Sequence, residues 1–152
     1  MHRNSGGFTL IELLIVVAII GIIAAIAIPA LNHAINRSRQ KRSMAEMHAL
    51  AVAVSSYGTD HSHMPRIANA SADQLEPYLT PTYIKVLEPY DGWRRLLVYR
   101  SDGTDYSVFC LGADGVMDAA STDAAGATTS FNADIIINDG EFVQWPEGMQ
   151  TK

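Results

Sequence analysis

Two groups of residues in this sequence have types and spacings that could do chemistry. The first is a single carboxylate, Glu12, set inside an apolar run that lasts from Phe8 to Leu31. A carboxylate at the centre of a bilayer costs a few kcal/mol, and less near one end of the span, where Glu12 stands. Glu12 either reaches the headgroups or meets a positive partner, because an unpaired charge in hydrocarbon is penalised. The second group is acidic. Between Ser101 and Thr151 there are nine acids and no Lys or Arg. A long loop there runs through Leu111, Asp114, Asp118, Ser121, Asp123 and Asp134. A loop of about 20 residues in a compact domain needs a reason. Clustered carboxylates repel one another unless a cation neutralises them, and Ca²⁺ takes six to eight oxygens from carboxylates, carbonyls and hydroxyls. The alternative is a flexible acidic surface loop.

Other candidates carry less. Asp60, His61, Ser62 and His63 cluster, with His33 and His48 upstream, but no further ligand stands at metal spacing. A membrane-tethered hydrolase built on them would lack a base and an orienting group. Cys110 is the one cysteine, so no internal disulfide forms; it reads as a buried strand thiol or a reactive one. Asn69-Ala70-Ser71 has the form of a glycosylation sequon, a pattern common by chance.

The elements that must position these residues follow from pattern. Phe8 to Ala30 would span roughly 34 Å as a helix, enough to cross a bilayer core. Its polar leader, residues 1–7, precedes the apolar stretch, the reverse of a secretory signal's cleavage layout. Helical periodicity then continues from Leu31 through Met44, Met47, Ala51 and Val54 to Tyr57. One helix from Thr9 to Tyr57 is expected, with a loop from Gly58 to Pro65 and a short capped helix from Ser71 to Leu79. Two β-rich pairs flank Asp-Gly turns: Leu96–Tyr99 with Tyr106–Leu111, and Ile135–Ile137 with Phe142–Trp145. The fold class is therefore α+β, a long helix packed on a small antiparallel sheet. Residues 1–7 form a polar leader, 8–30 a helix of membrane-spanning length, 31–57 an amphipathic stem and 58–152 a globular domain.

Charge is uneven. Arg37, Arg39, Lys41 and Arg42 form one basic cluster, whereas from Ser43 onward 15 acids face six bases. The globular part has no basic patch for nucleic acid. The cluster either touches lipid headgroups, meets acidic faces of other subunits or is simply solvated. The positive-inside rule would put it in the cytoplasm.

Gly6-Gly7-Phe8-Thr9-Leu10-Ile11-Glu12-Leu13-Leu14, followed by the apolar helix, resembles the leader of type IV pilins and type II secretion pseudopilins. The resemblance implies a type IV pilin-like fold, cleavage between Gly7 and Phe8 by a prepilin peptidase, and N-methylation of Phe8. It implies that Glu12 pairs with the Phe8 amine of a neighbour during docking. Gly21 and Pro29 match the stretch that unwinds when subunits leave the bilayer. The implied topology, against the positive-inside rule, is a single pass through the inner membrane with the C-terminal domain in the periplasm.

Further along, Tyr90-Asp91-Gly92-Trp93, Leu111-Gly112-Ala113-Asp114-Gly115 and Ala133-Asp134-Ile135 look like the C-terminal half of the major, G-type, pseudopilin. That family carries a calcium loop and lacks the pilin disulfide. Asp114 and Asp134 match its acidic positions, and Leu111 would lend its backbone carbonyl. The usual Asp-Pro-Trp-Gly is here Asp91-Gly92-Trp93-Arg94, and the loop before Asp134 is longer. The resemblance implies a structural subunit, not an enzyme: a helical homopolymer of this chain, with minor pseudopilins, an inner-membrane assembly platform and a cytoplasmic ATPase as partners. A type IV pilus subunit for adhesion, twitching or DNA uptake is the alternative.

Overall fold

The computed structural model describes residues 7–118 and 126–151 of the chain. Helix α1 covers Leu10–His61, 52 residues, with Pro29 inside it. The chain divides into two compact units, Met1–Ile35 and Asn36–Lys152. In the first, α1 is apolar on every side, and 15 large apolar side chains from Phe8 to Leu31 are exposed. A helix that is hydrophobic all round belongs in a membrane or a helix-lined interior. α1 is long and apolar enough to cross a bilayer. Pro29 withdraws the N–H that would bond to the Ala25 carbonyl.

In the second unit, the C-terminal part of α1 buries Met47, Leu50, Ala51, Ala53, Val54 and Tyr57. They pack in one core with Leu97 and Tyr99, with Tyr106, Val108 and Cys110, and with Ile135 and Ile137. The alternation in these last segments is that of strands with one face on a helix. Tyr106 Oη joins the sheet to α1 by donating to the Ala51 carbonyl at 3.0 Å, and Tyr99 Oη holds the loop after α1 by donating to the Pro65 carbonyl at 3.1 Å.

The sheet has six strands: β1 Ile67–Ser71, β2 Val98–Ser101, β3 Tyr106–Cys110, β4 Gly126–Ser130, β5 Ile135–Asn138 and β6 Glu141–Thr151. Their spatial order is β1-β2-β3-β5-β6-β4. Between β1 and β2 lie a 3₁₀ turn, Ala72–Leu75, and α2, Glu76–Leu79. Both expected hairpins form. Ser101 pairs with Tyr106, and Asn138 with Glu141. Asp139 and Gly140 both take positive φ, 49° and 93°, as a two-residue turn of the hairpin type requires.

Three expectations are corrected. The sheet is mixed, because β4 runs parallel to β6. Its Gly-Ala-Thr-Thr-Ser sequence is too weakly apolar to announce a strand, and part of the expected acidic loop is therefore sheet. β1 at the opposite edge also escaped, since its short Ile-Ala-Asn-Ala-Ser has no alternation of burial. Finally, α1 does not stop at Tyr57. Gly58 lies under Met64, and the left-handed residue that ends the helix is Ser62, at φ 60°. A helix terminator is ordinarily glycine, so Gly58 drew the boundary too early.

Asp91 fastens the loop before β2 to the stem. It is 1% exposed, and its Oδ1 accepts the N–H groups of Trp93 and Arg95, each at 2.8 Å. The adjacent Gly92 N–H donates to Ser43 Oγ of α1 at 2.9 Å. A Cβ on Gly92 would stand 2.2 Å from the Arg39 carbonyl oxygen. Two residues on, Arg94 holds φ 64°, a conformation costing about 1–2 kcal/mol for a residue with a Cβ. Gly92→Ala is expected to destabilise the folded domain by about 2 kcal/mol or more, and Arg94→Gly to stabilise it by about 1 kcal/mol. Thermal melting of the detergent-solubilised protein checks both, and a melting point unchanged in Gly92→Ala would refute the close approach.

Candidate functional site

The start of α1 is built by Thr9 and Glu12. The Thr9 N–H and Oγ1 both donate to Glu12 Oε2, at 2.8 and 2.7 Å. The Glu12 N–H donates back to Thr9 Oγ1 at 3.3 Å. This is a reciprocal capping box, which satisfies donors that the first helical turn leaves open. The threonine was missed in the sequence reading, although Thr-x-x-Glu ahead of an apolar run is the motif's signature. Glu12 thus has a structural role within its own chain besides any role toward a neighbour. Gly7 and Phe8, just ahead, are exposed, Phe8 by 72%, and no other part of the described chain comes within 4 Å of a Cβ placed on Gly7. Gly21 is equally open on its side of the helix.

The acidic loop is held by its two ends. The Ala113 N–H donates to the Phe131 carbonyl at 2.8 Å, tying the segment after β3 to the segment before β5. The Gly115 N–H donates to the Leu111 carbonyl at 2.9 Å, closing a turn. Asp114 Oδ1 accepts the Val116 N–H at 3.0 Å. Asp134 is the unusual member. It is 2% exposed, and its Oδ2 accepts the Asp118 N–H at 2.9 Å, while its Oδ1 is buried with no hydrogen-bond partner among the described residues. Burial pushes its carboxyl up to about 6; the Asp118 N–H works against this, and the charges of Asp118 and Asp114 add to it.

A buried carboxylate oxygen with no partner among the described residues is a donor of the kind a hard cation takes, and in that one respect the site suits calcium. Ser121 and Asp123 lie outside the described residues. Among those described, no three His, Cys, Asp or Glu side chains gather closely enough to hold an ion by themselves. The Leu111 carbonyl already accepts one hydrogen bond, which leaves it a second lone pair.

The remaining candidates resolve into structure. The Cys110 thiol, 1% exposed, points its Sγ at Asp91 Oδ2 at 3.7 Å. Burial pushes it up to about 12, so it remains an inert thiol. His61 stacks on Tyr57 with ring centroids 4.0 Å apart, and His61 and His63 each place Nδ1 on a backbone carbonyl. Tyr83 Oη donates to Asp60 Oδ2 at 2.9 Å. These rings and polar groups finish the end of α1. In the basic cluster, only Arg42 forms an ion pair among the described residues, with Glu46 at 3.7 Å.

Comparison with known proteins gives two family matches. Residues 2–28 match the prokaryotic N-terminal methylation motif, and residues 30–127 match type II secretion system protein G. The type II secretion system core protein G of Pseudomonas aeruginosa is 30% identical over 134 residues, covering 81% of this chain and 94% of the relative. That of Vibrio cholerae is 32% identical over 123 residues, covering 74% and 84%. Fimbrial protein Q of Moraxella bovis is 36% identical over 134 residues, covering 84% and 79%. No solved structure gives a significant match.

The Asp134 geometry sets a pH dependence for the ion-free protein. Its folded value, about 6, lies above the unfolded carboxylate value near 3.8. The folded state therefore holds its proton longer. Stability is expected to be greatest below pH 4 in this respect and to fall by about 3 kcal/mol in all as pH rises past 6, about 2 kcal/mol of it between pH 4.5 and 7. Urea unfolding in chelator at pH 4.5 and 7 measures it, and Asp134→Asn is expected to flatten the difference.

Proposed function

The chain belongs to the type II secretion system protein G family, and on that premise we propose how its residues serve a major pseudopilin. The protein is a structural subunit of a membrane-associated secretion filament, anchored by its apolar N-terminal helix with its folded domain toward the periplasm. In our reading a prepilin peptidase cuts between Gly7 and Phe8, and the new Phe8 amine is methylated. The exposure of this junction supports access by a peptidase. Glu12 then receives the amine of a neighbouring subunit, which fixes axial register. Gly21 and Pro29 ease the unwinding of α1 as it leaves the bilayer for the filament, since each lowers local helix stability. The inner-membrane platform and minor pseudopilins are the partners of this step.

The observation that carries the reading is the row of 15 exposed large apolar side chains behind a capped, accessible start. Only lipid or the matching helices of other copies can cover it. The calcium ion belongs to the same reading. Asp134, Asp118 and Asp114 would hold it, with the Leu111 carbonyl, Ser121 and Asp123 completing the oxygen set. When bound, it supplies positive charge that offsets carboxylate repulsion. Asp134 contributes its orphaned oxygen, and the Gln144 side chain, donating to the Asp134 carbonyl at 2.8 Å, holds that residue in place.

The match to fimbrial protein Q favours a second reading, a type IV pilus subunit. Long surface fibres with normal export would support it, whereas loss of secretion on deletion supports the first.

Gly7→Val is expected to leave the leader attached, shown by an intact N-terminal mass. Glu12→Ala is expected to be processed normally yet to cut filament yield at least tenfold by shearing assays. Wild-type yield would remove the docking role. Calcium is expected to raise the melting temperature of the wild type by several degrees and that of Asp134→Ala hardly at all.

A further inference from the structure

Arg95 has no part in the reading so far, yet its side chain is seated with unusual completeness. Its Nη1 donates to the Gly112 carbonyl at 2.9 Å, and its Nη2 to the Ala113 carbonyl at 2.8 Å. These are consecutive carbonyls on the turn that carries Asp114. The planar fork of a guanidinium suits two neighbouring oxygens, and a lysine has no such geometry. The turn is shaped to admit it. A Cβ on Gly115 would stand 2.5 Å from Nη1, and Gly115 holds φ 73°. Any side chain at 115 would collide with the guanidinium and strain the backbone.

The backbone of Arg95 is fixed as firmly as its head. Its N–H donates to Asp91 Oδ1, and its carbonyl accepts the Asp91 N–H, both at 2.8 Å. Asp91 is buried, and the next residue bonds to Ser43 of α1. A continuous path of hydrogen bonds thus runs from the stem through Asp91 and Arg95 to the acidic turn. Arg95 also brings a permanent positive charge to a stretch of the chain with no Lys or Arg of its own.

We propose that Arg95 is the positioning residue of the acidic turn: a built-in cation that keeps Leu111–Gly115 in place without a bound ion. The ion then has only the other half of the loop, around Asp134 and Asp118, left to order. This deepens the calcium reading and rests on it for that last statement alone. The hold of Arg95 on the turn stands independently.

Hydrogen exchange of the full chain in detergent micelles, read by mass spectrometry on a peptide spanning 111–118, tests it. The amides of Ala113 and Gly115 report the turn, and β5 amides report global stability. In chelator, the wild-type turn is expected to stay protected. Arg95→Ala is expected to exchange there at least tenfold faster, with β5 unchanged. Arg95→Lys is expected to recover only a small part of the protection. Wild-type exchange of the turn in Arg95→Ala would overturn the proposal, and so would equal acceleration in β5, which would mean general loosening. Full protection in Arg95→Lys would overturn the two-carbonyl fork. Added calcium is expected to restore protection in Arg95→Ala. If the turn loosens but calcium restores nothing, and the wild type also ignores calcium, the calcium reading fails while the role of Arg95 survives.

Discussion

The first half of α1 cannot face water, and the rest of the molecule is arranged around that constraint. Fully burying a large apolar side chain is worth about 1.5–3 kcal/mol, and 15 of them stand exposed between Phe8 and Leu31. The sheet and its core pack on the segment from Met47 to Tyr57 instead. A bilayer covers them, and so does a bundle of identical helices. In lipid-like surroundings such helices gain little from apolar contact alone, so polar groups and close backbone approach set the register. In this span Glu12 is the one charged residue and Gly21 the one glycine.

The globular domain solves a different problem. With 152 residues and a single cysteine, the chain has no covalent staple. Buried polar groups act as ties instead. Asp91 joins the loop before β2 to β3 through Cys110, and its neighbour Gly92 joins that loop to Ser43. Gln40 on the stem donates to Gln150 on β6 at 3.2 Å, and Gln150 donates in turn to the Thr128 carbonyl on β4. The stem is thereby tied to the loop before β2 and to β6 by bonded polar groups, and a polar group that is bonded when buried adds rigidity where an unpaired one would cost stability.

Legibility in the sequence followed physical distinctness. The apolar span and Glu12 were readable because they violate ordinary composition. Both hairpins were readable because Asp-Gly turns sit between β-branched runs. The edge strands β1 and β4 were not, since pairing at a sheet edge needs little apolar surface and so leaves little trace. Asp134 was chosen as an acidic position, but its orphaned oxygen is a property of packing and has no sequence counterpart. Arg95 stayed hidden for the same reason: its two acceptors are backbone carbonyls 17 and 18 residues away. Gly58 misled because a glycine beneath a packed methionine looks identical, in sequence, to one that ends a helix.

The Thr9–Glu12 box has a geometric corollary. The carboxylate is already served by two donors of its own chain. Both donors sit on Oε2, so Oε1 keeps its lone pairs. On the docking reading, an incoming ammonium group would meet a carboxylate already oriented by its own chain and would not have to break the cap to reach it.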